Sequence, residues 1–146
     1  MNYALLGAIA GAIFVALAYL SSPSVKGARG EARVRRRLAA DLASEGAVAL
    51  QDLTLPTADG TTQIDHVVIA RGGVFVIETK TMAGWIFGAE RQAQWTQVLP
   101  GRKTRFQNPL RQNYKHIKAI EAHLGLAPEQ IHSVVVFAGS ARPKTE

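Results

Sequence analysis

Gln63-Ile64-Asp65-His66-Val67-Val68-Ile69-Ala70-Arg71-Gly72-Gly73-Val74-Phe75-Val76-Ile77-Glu78-Thr79-Lys80 reads as a β-hairpin that carries charge where a core is expected. Ile64–Ala70 and Val74–Thr79 are rich in β-branched residues, and Gly72-Gly73 between them suits the positive φ values of a tight two-residue turn. With Arg71 and Val74 flanking that turn, Asp65 lies opposite Lys80 and Val67 opposite Glu78, and opposed residues project from one face. Period-two alternation already puts Glu78 and Lys80 together. Asp65, Glu78 and Lys80 therefore converge at the open end of the hairpin, while Val68, Phe75 and Ile77 take the other face.

Charges are costly to bury unless they are paired or bind a metal. Two carboxylates suit a hard cation, Mg²⁺ or Mn²⁺, which stabilises charge on a phosphate and acidifies a bound water. A lysine beside them can orient that water or neutralise developing negative charge. The plainer alternative is a strand-end ion pair, in which Lys80 only neutralises Asp65 and Glu78; an exposed pair contributes ~0–1 kcal/mol.

Outward from the hairpin, Val48–Leu53 reads as a first strand and Thr57–Thr62, with Asp59-Gly60, as a turn. Met82–Gly88 and Gln94–Val98 read as a further strand pair, with Trp85 and Trp95 packing on the sheet or helix; stacking of a nucleobase on either is the alternative. Arg102, Lys103 and Arg105 around Gly101 form a basic loop, suited to phosphate contacts or else simply solvated. Asn108 caps a helix with Pro109 at its first position, running to Leu124 before Gly125. Its expected buried stripe is Leu110, Tyr114, Ile117, Ile120 and Leu124, with Gln112, Lys115 and His116 off it. His116 is a poor metal-ligand candidate, since a lone histidine is usually solvated or hydrogen-bonded; His66, His123 and His132 show no zinc-ligand spacing, and His66 should point away from Asp65. Val134–Ala138 is a continuous apolar run, as in a strand covered on both faces.

Towards the N-terminus, Glu31–Ala43 carries Val34, Leu38 and Leu42 at helical spacing, an apolar stripe on a basic helix. Glu31 sits beside that stripe, where it either reaches the Asp65/Glu78 patch or pairs with Arg35 one turn on. Tyr3–Leu20 has no charged residue and would span ~27 Å as a helix, near the thickness of a bilayer core. Lys26, Arg29, Arg33, Arg35, Arg36 and Arg37 follow it, so the expectation is a single-pass anchor, N-terminus out, with the domain in the cytoplasm. The same arginines also suit a solvated helix face or anionic lipid headgroups. Gly7-x-x-x-Gly11 suits a helix-pairing face and hence a homodimer.

The expected organisation is an anchor over 1–22, a linker over 23–30, a domain over 31–140 and a tail over 141–146. The net charge of +6 and pI of about 10.1 favour a polyanionic partner, nucleic acid or an anionic membrane. The absence of cysteine excludes disulfides, thiolate zinc sites and a cysteine nucleophile.

Taken in order, Gly27-x-x-Gly30-Glu31, Gln63-Ile64-Asp65-His66, Ile77-Glu78-Thr79-Lys80, Trp95 and Asn108-Pro109-x-x-Gln112-Asn113 resemble the NERD (nuclease-related) domain of the PD-(D/E)xK, restriction-endonuclease-like superfamily. Ile64 stands where the superfamily's name has proline. The resemblance runs from about Gly27 to Ala138. It implies an α/β fold with a mixed central sheet flanked by helices, here preceded by the transmembrane helix. It also implies a metal-dependent nuclease acting on nucleic acid, DNA in the first instance. Asp65 and Glu78 would bind Mg²⁺ or Mn²⁺, Lys80 would act on the water or the phosphate, and Glu31 and Gln112 would assist. One fold hosts many functions, and the competing expectation is a module that binds nucleic acid or a partner at the membrane.

Overall fold

The computed structural model describes residues 23–42 and 46–144. The apolar run Tyr3–Leu20, and with it the expected membrane helix, lies outside them. Among the described residues no helix is long and apolar enough to cross a membrane.

Helix α1 (Pro23–Leu42) is followed by the strands β1 (Val48–Thr57), β2 (Gly60–Ala70), β3 (Gly73–Phe87), β4 (Gln94–Leu99) and β5 (Arg102–Gln107). Helix α2 (Pro109–Leu124), a short 3₁₀ turn at Pro128–Gln130 and β6 (Ile131–Pro143) complete the order. The strands make one six-stranded sheet, β1-β2-β3-β4-β5, with β6 added beside β3. All pairings are antiparallel except β3 with β6. The expected mixed α/β architecture is therefore present.

β3 organises the sheet. β6 lines one edge of it from Val74 to Ile86. The other edge is shared: β2 pairs with it up to Ile77, and β4 takes over at Trp85. Between them β3 has no strand partner on that edge among the described residues, so its polar backbone groups need other partners. The Asp65 carboxylate accepts from the Thr79 N–H at 2.7 Å, and Gln97 donates its amide to the Ala83 carbonyl at 2.8 Å. The sheet is forked, and Asp65 stands at the fork.

The two helices pack on this framework from different directions. α2 sets Ile120, with Ile117 beside it, against Ile64, Val67, Val74, Val76 and Ile131, the main apolar core; each such fully buried side chain contributes about 1.5–3 kcal/mol. Leu38 and Leu42 of α1 approach Val68, Phe75 and Ile77, so the apolar stripe expected on that helix does face the sheet. Near the fork, Asp52 adopts a left-handed φ of 51°, a conformation aspartate tolerates better than most residues. Its neighbours separate there: Leu53 joins the α2 core, whereas Gln51 accepts from Arg35 of α1 at 3.2 Å.

Several local expectations are corrected. The segment 23–30, read as a linker, belongs to α1: Pro23 is tolerated in a first helical turn, and Gly30 serves close packing. A Cβ on Gly30 would lie 1.6 Å from the Thr81 hydroxyl, so only glycine lets α1 cross β3 there. Met82–Phe87 is not a separate strand but the continuation of β3. The hairpin turn is Arg71-Gly72, with Ala70 opposite Gly73 and Val67 opposite Val76, not Glu78. Gly73 is needed for a different reason: at φ 125° its missing side chain leaves room for the Gln130 carbonyl, 2.5 Å from a would-be Cβ.

Trp95 is buried and stacks on Phe137, whereas Trp85 is exposed. The basic residues Arg102, Lys103 and Arg105 lie on β5, an edge strand, rather than in a loop. Helix α2 keeps its expected ends: the Asn108 side chain accepts from Leu110 N, and Gly125 closes it at φ 61°. Its buried face, however, is Pro109, Asn113, His116, Ala119 and Ile120; Tyr114 and Leu124 are exposed.

Candidate active site

Strand alternation and the fork gather the site. The observed register differs from the expected one by two residues, which preserves the face each residue takes. Asp65, Glu78 and Lys80 still meet, but the ladder ends at His66 and Ile77, and Asp65 reaches β3 beyond it through the Thr79 N–H. Glu78 is only 2% exposed, and both its oxygens are engaged. Lys80 Nζ lies 2.6 Å from Oε1, and His116 Nε2 lies 3.1 Å from Oε2. Lys80 also donates to Gln112 Oε1 at 2.9 Å. Gln112 thus holds the lysine from α2 while Glu78 holds it from β3.

A carboxylate can only accept, so His116 Nε2 carries the proton in its bond to Glu78. The opposite ring nitrogen, Nδ1, meets the Thr62 hydroxyl at 2.8 Å, and in the neutral ring Nδ1 accepts from it. A chain Thr62–His116–Glu78 therefore links β2, α2 and β3. Sequence reasoning valued His116 only as a poor metal-ligand candidate and missed its actual contact. The available signal was its spacing: His116 follows Asn113 and Gln112 by one helical turn, so a helix that presents those amides to the sheet presents the histidine too.

The three carboxyls of the site differ. Burial is the largest influence on Glu78 and pushes its carboxyl up, but the hydrogen bonds from His116 and Lys80, with their charges, outweigh it and hold the group below its ordinary value. Asp65 moves the other way. Burial raises it, the Thr79 N–H opposes this, and repulsion from Glu78 adds to the rise. Glu31 is raised by burial first and then by repulsion from Asp65, Asp52 and Glu78. Carboxyls driven apart in this way are suited to different protonation roles. Gly30 accounts for Glu31's position, because the tight crossing at Thr81 brings the first half of α1 over the fork.

Asp65 and Glu78 offer hard oxygen donors that fit a hydrated Mg²⁺ or Mn²⁺. Asp65 has one oxygen to which no described residue donates, while Glu78 would share its oxygens with Lys80 and His116. Among the described residues no group of three or more histidine, aspartate and glutamate side chains is arranged to hold an ion.

The remaining motif residues build the surroundings. Asn108 is fully buried and donates to the carbonyls of Glu90 at 2.8 Å and Gln92 at 2.7 Å, clamping the β3–β4 connection as it caps α2. Trp95 donates to Ala89 O in the same connection. Asn113 donates to Val76 O and meets Ser133 Oγ, both at 2.8 Å, fixing α2 to β3 and β6. His66 is buried with no hydrogen-bond partner among the described residues, and burial lowers its basicity. The three basic residues of β5 do not share a face. Lys103 and Arg105 alternate with Arg102, whose Nε donates to Thr104 at 3.2 Å.

The sequence pattern of the nuclease-related domain, NERD, matches residues 26–138. An uncharacterized protein of Bacillus anthracis is 53% identical over 100 residues, covering 68% of this chain and 47% of that protein. The chain thus spans about half the length of this curated relative, 47%. No solved structure matches. The match covers most of the chain and includes every residue gathered at the fork, and the chain belongs to the nuclease-related domain family.

Proposed function

We propose that the chain is a nuclease of the restriction-endonuclease-like type. It would hydrolyse phosphodiester bonds in nucleic acid, DNA in the first instance, with Mg²⁺ or Mn²⁺ held by Asp65 and Glu78. One observation carries this reading. Lys80 Nζ is fixed between Glu78 Oε1 at 2.6 Å and Gln112 Oε1 at 2.9 Å, beside Asp65. A solvated ion pair would not need a second acceptor brought from another element. When bound, the cation supplies Lewis-acid polarisation and a water acidic enough to attack near neutral pH.

The protein's own residues do the rest. Lys80, preorganised by its two acceptors, presents cationic donors to charge developing on the phosphate. Gln112 keeps that lysine in place, and its amide nitrogen can hold a phosphate oxygen or the attacking water. His116 keeps Glu78 ionised. Glu31, with its raised carboxyl, is the group suited to take up a proton. Arg102, Lys103 and Arg105 supply phosphate contacts along β5. Tyr3–Leu20 would anchor the enzyme in the membrane, with the nuclease domain on the cytoplasmic side.

A second reading, a catalytically silent module that binds nucleic acid or a protein partner, rests on Glu78. Both its oxygens are already taken by protein donors. Cleavage of circular single-stranded and supercoiled DNA with Mg²⁺, Mn²⁺ or EDTA decides between them. The nuclease reading expects metal-dependent nicking that disappears in Glu78→Gln and Lys80→Ala; binding without cleavage by the folded wild type favours the module. Extraction of membranes at alkaline pH tests the anchor, which should stay in the pellet.

A further inference from the structure

We infer that the exposed face of α2 is a track for single-stranded nucleic acid, with Tyr114 as a platform on which an unpaired base stacks. The inference rests on the nucleic-acid reading above and specifies its substrate. It starts from the rotation of α2. Because Asn113 and His116 point into the sheet, Tyr114 is turned outward and is 59% exposed. A large aromatic so exposed on a well-anchored helix is not needed by the core. Lys118 Nζ lies over the ring, 5.4 Å from its centroid.

Tyr114 stands where two clefts meet. One, of about 620 Å³, lies between the β1–β2 turn and α2 and is walled by Thr62, Gln63, Gln112 and His116. The other, of about 970 Å³, runs towards the β3–β4 connection past Arg91 and Arg111. Gln107, Tyr114 and Lys115 belong to both walls, so the two clefts adjoin along the exposed face of α2. The first cleft is walled by Gln112 and His116, the partners of Lys80 and Glu78. A strand lying across the two clefts therefore reaches the residues that hold Lys80 and Glu78.

The lining chemistry fits a polynucleotide. Arg91, Arg111 and Lys115 make no salt bridge with any described residue, so their charge is available to phosphates. The amides of Gln63, Gln107 and Gln112 offer donors and acceptors to base edges without fixing a sequence. Stacking on tyrosine requires a base whose face is free, a condition a duplex interior does not meet. This selects the single-stranded form and places the main track on α2 rather than on the β5 residues.

The test uses the full chain in detergent with EDTA, so that binding is read without cleavage. The probes are a fluorescent oligothymidylate of about twenty nucleotides and a hairpin duplex of the same charge, followed by anisotropy. The single strand should bind more tightly. Tyr114→Ala should weaken it by about 5- to 150-fold, the loss expected for one base–aromatic stack, and Tyr114→Phe should retain wild-type affinity. Arg111→Ala and Lys115→Ala should each reduce the slope of log affinity against log salt by about 0.7. A neutral Tyr114→Ala, equal binding of duplex, or no binding by the wild type would overturn the track. Metal-dependent DNA cleavage by the same preparations keeps the two readings apart. Cleavage with a neutral Tyr114→Ala sinks the track alone, whereas Tyr114-dependent binding without cleavage sinks the nuclease alone.

Discussion

Replacing His116 by leucine tests the link between α2 and the buried carboxylate. Leucine fills much the same space but gives Glu78 no donor. Glu78 is 2% exposed and keeps only Lys80, at 2.6 Å. A hydrogen bond to a charged group is worth about 1.5–3 kcal/mol, while Thr62, which is only half-buried, can turn to water at small cost. For a domain of this size that loss lowers Tm by on the order of 10 °C. The sign with pH follows from the direction of the Glu78 shift. The wild-type carboxyl lies below its ordinary value of 4.5, so its contribution is complete above that pH and is lost as pH falls through the folded value. In His116→Leu the depression is weaker, so there is less to lose in acid. The Tm difference between the two proteins should be largest at neutral pH and shrink below 4.5. His116→Gln, which carries an N–H to a similar place, should recover part of it. Thermal melts followed by circular dichroism across this range are sufficient. A penalty that is absent at neutral pH, or that is unchanged in acid and unrelieved by glutamine, would refute the hydrogen-bond account.

Three further expectations follow from the geometry. In Gly30→Ala the new Cβ would meet Thr81 Oγ1 at 1.6 Å, costing about 1–3 kcal/mol of overpacking; Gly27→Ala meets only an ordinary 3.8 Å contact and should gain up to ~1 kcal/mol of helix propensity, so urea melts of the pair should move in opposite directions. Asp65→Asn keeps an acceptor for the Thr79 N–H but removes the charge that burial and Glu78 resist. It should therefore be at least as stable as wild type without metal, and should lose the Tm rise that saturating Mg²⁺ or Mn²⁺ gives, about 2.7 kcal/mol at a hundredfold excess over Kd; a rise undiminished in the variant would place the ion elsewhere. Asn108→Ala removes a helix cap together with the donor to Glu90 O and Gln92 O, a loss of about 3 kcal/mol, and hydrogen exchange should show the β3–β4 connection opening first.

How far the sequence discloses this molecule depends on which force decides each feature. The fork site was legible because the hairpin brings Asp65, Glu78 and Lys80 to its open end, and a register error of two residues leaves them at that end. The register itself was not legible. Gly72-Gly73 looks like a turn dipeptide, but Gly73 answers to the approach of Gln130 from the β6 side, a contact between segments far apart in sequence. Helix α2 divides along the same line. Asn108, Pro109 and Gly125 fix its ends by local hydrogen bonding and backbone preference, which sequence carries directly. Its rotation is set instead by Asn113 donating to β3 and by His116 meeting Glu78. Hydrophobic periodicity assigns such polar residues to solvent, and so it chose Tyr114 for the core. That misassignment has a physical meaning. A helix that turns amides and an imidazole inward and an aromatic ring outward gives up apolar burial, and a site needing Lys80 and Glu78 held rigidly on one side, with a ligand surface on the other, accounts for both halves of the exchange.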